Sequence, residues 1–291
     1  MDNATVGIIF VTQSCINKYD TAFLIVFDEI SWRISMGQEK YMRILLPTGA
    51  MILLLFVCEF FVRLNNLPLY VLPAPSKVLL TLFKELPTLW HHSIVTLSET
   101  LIGLLIAVVL ALILSILMDA FGLFKSTIYP LLVVSQTIPV IVLAPLFIIY
   151  LGFGIAPKVL TVVLMCFFPI AVSFADGMAQ LDINQINLLR SFGARWFAVY
   201  RLVKIPGAAP SLFSGLKVAA TYSITGAVVG EWLSAESGLG YYMLRVKNGF
   251  MLDKVFACII AIVFLSLLMN GMVRLLQYLL LPHLRQQENN D

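Results

Sequence analysis

The segment Asp182–Pro210, DINQINLLRSFGARWFAVYRLVKIPGAAP, is the longest polar interruption in a very apolar chain. It carries four cations, Arg190, Arg195, Arg201 and Lys204, against one acid, Asp182. Its apolar residues are ordered. Ile183, Ile186, Leu188 and Leu189 fall at helical spacing, and Gly193 breaks the run. Trp196, Val199, Tyr200 and Val203 then start a second amphipathic stretch before Pro206. A short helix, a glycine turn and another short helix make a basic, amphipathic knob. Such a knob suits the cytoplasmic face of a membrane protein, where it can dock on something soluble.

The rest of the chain supplies the membrane. Hydrophobic residues make up 60% and charged residues 12%, against about 25% charged in an ordinary soluble domain. The mean hydropathy is +0.95. An integral membrane protein follows. The formal charge of +3 is small, and no basic stripe lies outside the segment above, so no nucleic acid is expected as a partner. Cys15, Cys58, Cys166 and Cys258 are scattered without metal or disulfide spacing and read as small apolar fillers.

Residues 1–41 read as an N-terminal extension, because their apolar runs are shorter than the roughly 20 residues a bilayer crossing needs. No basic stretch or small-residue cleavage site marks them as a signal peptide. Residues 42–285 form the membrane domain, with the knob in a loop at about 178–208, and residues 286–291 are a polar tail. The first span is expected at about 44–62, with Glu59 near one end as an interfacial acid or an ion relay. A Pro-started surface helix follows at Pro75, and His91-His92 reads as an interfacial pair.

The second span, about 94–118, carries Thr96, Ser98, Glu99, Thr100 and Gly103, residue types that let helices approach and bond. Glu99 serves either a helix–helix bond or the solute pathway. The third, about 127–152, is interrupted by Pro130, Pro139 and Pro145. Ser135, Gln136 and Thr137 beside Pro139 are candidates for the lining of a path, or for a packing kink. The fourth span lies at about 159–177, the fifth at about 212–232 and the sixth at about 255–281. On the fifth, Ser214, Lys217, Thr221 and Thr225 recur every three or four residues and share one face, which together with Tyr222 extends the candidate path.

Three strings resemble the permease subunits of binding-protein-dependent ATP-binding cassette (ABC) importers. In the knob, Gly193, Ile205-Pro206 and Pro210 fit that family's cytoplasmic loop, although Asn187-Leu188-Leu189 stands where Glu-Ala-Ala is usual. Leu72-Pro-Ala-Pro-Ser is similar to a segment that follows the first span in sulfonate, nitrate and taurine permeases. Glu231 with Ser237-Gly-Leu-Gly-Tyr241 resembles their outer string.

The resemblance implies an all-α integral membrane protein with the six-span type I ABC importer permease fold and both termini cytoplasmic, located in the cell (plasma or inner) membrane. The excess of Lys and Arg on that side agrees. It implies a homodimer, two cytoplasmic ATP-binding subunits carrying ATP and Mg, and an extracytoplasmic solute-binding protein. Asp182, Asn187, Arg190, Gly193, Ala194, Arg195, Arg201 and Pro206 would couple to the ATPase. Ser135, Gln136, Thr137, Thr221, Tyr222 and Thr225 would line the path. Glu231, Ser237, Gly238 and Gly240 would form an outer gate or touch the binding protein.

The chain itself has no phosphate-binding loop, so it is expected to be no enzyme and to hold no cofactor. A small organic anion such as a sulfonate, taurine or nitrate is the favoured solute, with a thiamine pyrimidine precursor or riboflavin as others. The competing class is a stand-alone, gradient-driven transporter or channel, which would need intramembrane carboxylates such as Glu59, Glu99 or Asp176.

Overall fold

A computed structural model describes residues 45–234 and 236–281. The N-terminal extension and the polar tail lie outside the described residues. The chain divides into two units, Met1–Asn66 and Leu67–Asp291. In the first, α1 (Leu45–Leu64) is one apolar helix with Pro47 in its opening turn. Its acid is paired: Arg63 Nε donates to Glu59 Oε1 at 2.6 Å, one helical turn apart. The Asn65 side chain closes the helix by donating to the Phe61 carbonyl at 3.0 Å.

The second unit contains α2 (Pro75–Lys84), α3 (Leu86–Ala120), α4 (Gly122–Ser135), α5 (Val140–Leu151) and α6 (Ile155–Ala179). After these come α7 (Ile183–Ser191), α8 (Trp196–Val199), a wide π-type turn (Tyr200–Lys204), α9 (Ile205–Ser234), α10 (Leu239–Asn248) and α11 (Leu252–Leu280). The described residues are otherwise turns and connections. Among the described residues, counting α8 through α9 as one rod, five helices are long and apolar enough to cross a membrane. The α4–α5 pair is apolar enough to be a sixth, bent span.

The core is organised around α6. Val162, Cys166, Ile170 and Phe174 recur every fourth residue and are fully buried. Facing them, α3 presents Gly103, Ala107, Ala111 and Ser115 at the same spacing. In a membrane, apolar side chains gain little by leaving lipid for each other, so helices associate by close packing and by polar contacts across the seam. Both are present. A Cβ on Gly103 would lie 2.5 Å from Val162 Cβ, and Ser115 Oγ donates to the Ala171 carbonyl at 2.8 Å. On the other side α9 uses the same device. A Cβ on Gly215 would lie 2.7 Å from the Pro169 carbonyl oxygen.

A second core joins α9, α10 and α11 through Ile224, Val228, Leu239, Cys258, Leu265 and Met269. Between α2 and the start of α11, Lys254 Nζ pairs with Glu85 Oε1 at 2.6 Å, and Thr81 Oγ1 donates to Asp253 Oδ2 at 2.8 Å. The Lys254 hydrogen bond holds the Glu85 carboxyl below the usual carboxylate range. The tie is therefore intact at neutral pH and is lost on acidification through that lowered value.

Four expectations are corrected. The third span is two helices bent by 100° across residues 136–139, because Pro139 lacks the amide and fixes an extended backbone there; Pro130 and Pro145 lie inside α4 and α5. The second span starts at Leu86, with Pro87 in its first turn, and so includes His91 and His92. The fifth starts at Ile205 as a direct continuation of the π-type turn, so Pro206 lies inside one helical rod. The sixth starts at Leu252, and α10 precedes it.

The packing of α3 on α6 is testable. Gly103→Val forces two backbones apart and is expected to destabilise the protein by about 1–3 kcal/mol. Thermal unfolding in mild detergent measures this, and an unchanged midpoint would refute the close approach.

Candidate functional site

Three places along the bundle carry chemistry. The first is the knob. The Asp182 carboxylate caps α7 by accepting from Asn184 N at 2.8 Å. The helix ends in a left-handed glycine: Gly193 has φ +79°, and Gly193 N and Ala194 N return to the Arg190 and Leu189 carbonyls at 2.9 and 3.1 Å. Nothing lies within 4 Å of where a Cβ on Gly193 would be, so backbone conformation alone selects glycine. Ile186 is buried, and Leu188, Phe192, Trp196 and Phe197 are exposed. Asp182, Asn187, Arg190, Gly193, Arg195, Arg201 and Pro206 are exposed as well, and Ala194 is half-buried. Among the described residues Arg190, Arg195 and Arg201 have no salt bridge. Lys204 does: together with the Tyr200 hydroxyl it donates to Asp119 Oδ2 at the end of α3.

The second place is a cavity of about 400 Å³ at the α4–α5 break. Ser135, Gln136, Ile138 and Val140 line it from the break, Leu164, Met165, Phe168 and Pro169 from α6, and Val218 and Tyr222 from α9. Three of the six expected path residues, Ser135, Gln136 and Tyr222, therefore meet in one space. The other three do not join them. Thr137 Oγ1 donates to the Val134 carbonyl at 2.7 Å. Thr221 accepts from Asn270 Nδ2 at 3.0 Å and so ties α9 to α11. Thr225 is exposed on α9 beside Thr221 and Tyr222. Met165 and Phe168 escaped the sequence reading because an apolar residue on an apolar helix carries no signal of facing a cavity.

The third place lies at the other end of α6, whose 25 residues span about 37 Å. There Lys158 Nζ pairs with Glu99 Oε1 at 2.6 Å, and both side chains are over nine-tenths buried. Glu99 thus serves a helix–helix bond. Beside them Glu231, 1% exposed, caps α10 from a distance. Its Oε1 accepts from Thr96 Oγ1 at 2.7 Å and its Oε2 from Gly240 N at 2.6 Å. Thr96 Oγ1 accepts from Leu239 N at 2.9 Å, and His92 Nδ1 accepts from Gly238 N at 3.1 Å. The first amides of a helix have no internal acceptor and carry partial positive charge, so a carboxylate there is doubly favoured.

Gly238 has φ +119°, and a Cβ on it would lie 2.3 Å from the Glu231 carboxyl carbon. Of the four residues expected at an outer gate or binding-protein contact, Glu231, Gly238 and Gly240 are buried and hold α10, while Ser237 lines a cavity of about 650 Å³ together with Lys158, Trp232 and Glu236. Lys158 was missed, and the partners of Thr96 and His92 were not foreseen, because those partners are far away in sequence.

The sequence pattern described as the inner membrane component of binding-protein-dependent transport systems matches residues 99–285. The chain belongs to that family. It is thus a multi-pass inner-membrane ABC transporter permease, and the matched region holds the first two places and all of the third but His92 and Thr96. A probable ABC transporter permease protein of Haemophilus influenzae is 33% identical over 225 residues, 77% of this chain and 92% of its own length. The formylaminopyrimidine transport permease protein of Halalkalibacterium halodurans is 36% identical over 242 residues, 83% of this chain and 96% of its own. A putative aliphatic sulfonates transport permease protein of Bacillus subtilis is 30% identical over 214 residues, 72% and 77%. Among solved structures, an inward-facing MetNI methionine ABC transporter matches 64% of this chain and 93% of its own, at 16% identity and a TM-score of 0.48. Membership of a permease family favours the importer reading over the stand-alone carrier.

The buried charges of this permease make a sharp prediction. Removing one partner of a buried pair strands the other, so Lys158→Met is expected to cost about 3–5 kcal/mol, while the double variant Glu99→Gln/Lys158→Met recovers most of the loss. Unfolding midpoints in detergent measure both. A double variant as unstable as Lys158→Met would disprove the pairing.

Proposed function

We propose that this permease forms the solute path of an ATP-driven importer. Two copies of the chain share the path, two ATP-binding subunits dock on the knob, and a solute-binding protein delivers to the opposite end. ATP, with Mg, closes the ATPase pair, the knob moves with it, and the spans rock between inward-open and outward-open. The family match carries this reading. The knob's chemistry supports it: Leu188, Phe192, Trp196 and Phe197 offer an apolar anchor rimmed by Arg190, Arg195 and Arg201. Exposed aromatic anchors fill partner pockets, and rim cations steer the encounter.

The cavity bears on the solute. Gln136, Ser135 and Tyr222 supply hydrogen-bonding groups, Met165 and Phe168 supply polarizable and aromatic walls, and no charged residue lines it. That lining supports a small, flat, uncharged heteroaromatic solute of the kind named for the formylaminopyrimidine relative. The organic anion favoured from sequence finds no cation there to offset its desolvation. The sulfonate relative keeps that second reading in the test.

Two experiments check the proposal. Purified from its native membrane, the tagged chain is expected to bring a stoichiometric ATPase, and Gly193→Val or Arg190→Glu to insert normally but uncouple hydrolysis from transport. Wild-type uptake by both variants would sink the lever. In reconstituted vesicles, formylaminopyrimidine uptake should fall about tenfold in Gln136→Ala, the loss of roughly one buried hydrogen bond. Uptake of an aliphatic sulfonate in place of the pyrimidine would reverse the assignment of solute.

A further inference from the structure

The knob is connected to the rest of the permease in an uneven way. Its first helix, α7, buries one residue, Ile186. Its second, α8, lasts four residues and runs straight into the π-type turn Tyr200–Lys204, which continues without a break into α9. A π-turn adds a residue to the helical circuit, and such turns recur where a helix must be re-aimed for function. Here the Ile205 amide returns to the Tyr200 carbonyl, so the widened loop begins and ends within the turn itself.

One residue outside the knob holds that turn. Asp119, the penultimate residue of α3, receives both the Tyr200 hydroxyl and the Lys204 ammonium on the same oxygen. The side chains of Lys204 and Asp119 are 15% and 12% exposed. Three aromatic and cationic groups stack behind the contact. Lys204 Nζ lies 4.8 Å from the centre of the Tyr200 ring, and the Trp196 ring lies 4.6 Å from the same ring. Tyr200 itself is buried against Phe174, Met178 and Ala208. Partly buried charge-assisted hydrogen bonds hold geometry far better than exposed ones do.

We infer that Asp119 is a positioning residue for energy coupling: with Tyr200 and Lys204 it pins the π-turn to α3, so that displacement of the knob pivots α9 against α3. The inference rests on the proposed docking of an ATPase at the knob. Its logic is mechanical. A push on a knob whose root is free is absorbed in the wide turn. Pinned at one point to a neighbouring span, the same push becomes rotation of the helix beyond, and that helix carries Tyr222 to the cavity.

The test uses the assembled transporter in lipid and needs no knowledge of the solute. A spin label at Thr225→Cys, with the native cysteines replaced by serine, reports the separation of α9 in the two copies. The distance is measured without nucleotide and with a non-hydrolysable ATP analogue. In the otherwise native chain the analogue is expected to shift the distance. In Asp119→Asn and Lys204→Met the ATP-binding subunit is expected to co-purify and to hydrolyse ATP as before, while the shift is lost. Tyr200→Phe keeps the buried ring and should lose part of the shift, which guards against a mere folding defect.

A full shift in all three variants overturns the inference. So does loss of the ATP-binding subunit from Asp119→Asn and Lys204→Met, since that marks a structural role. A native chain that recovers no ATP-binding subunit at all overturns the docking proposal itself, and the inference with it.

Discussion

Close approach of α6 to α3 and α9 is the constraint on which the rest depends. Lipid offers apolar side chains nearly the same surroundings as another helix does, so burial alone cannot hold this bundle together. Gly103, Ala107 and Ala111 on one flank, with Gly215 and Ala219 on the other, let α6 sit near enough for dispersion contacts and for bonds such as Ser115 to the Ala171 carbonyl. Everything functional is positioned from α6. Its first turns carry Lys158 into the buried charge cluster, its middle walls the cavity with Met165 and Phe168, and its last turns support the root of the knob through Phe174 and Met178.

That arrangement explains why the ends and the middle of the bundle are built differently. At the ends, polar groups are numerous and paired, Glu231 with Thr96 and Gly240, Glu99 with Lys158, Asp119 with Tyr200 and Lys204, although Glu99 Oε2 and Trp232 Nε1 are buried without a partner. In the middle, around the α4–α5 break, the polar side chains are few and uncharged. The proposed solute path must release what it admits and cannot bind tightly, and a sparse lining of hydroxyl, amide and aromatic groups suits that requirement.

Much of this could be read from the chain. Helical periodicity and Gly193 placed the knob, and composition gave the membrane class. Prolines marked the third span as broken, although Pro139 alone makes the bend and its 100° angle is a tertiary outcome. The polar face of the fifth span was visible at Thr221 and Thr225, yet Thr221 proves to be a tie to Asn270. What stayed hidden were contacts between distant residues. His92 looked like half of an interfacial pair, and Asp119 lies just past the expected end of the second span. Nothing local to either residue shows that one accepts from Gly238 and the other from Lys204. The knob was legible because its order is local.

The remote capping of α10 bears on how the protein is made. A helix of ten residues is marginal in water by itself. This one draws the acceptors for its first amides from Glu231 on α9 and from Thr96 and His92 on α3. Thr96 and His92 are in place only when α3 and α9 lie side by side. The segment 236–248 is therefore expected to order fully only once α3 packs beside α9. A permease whose α3 and α9 fail to pair would present that stretch unfolded and open to proteases, which makes it a built-in reporter of correct assembly.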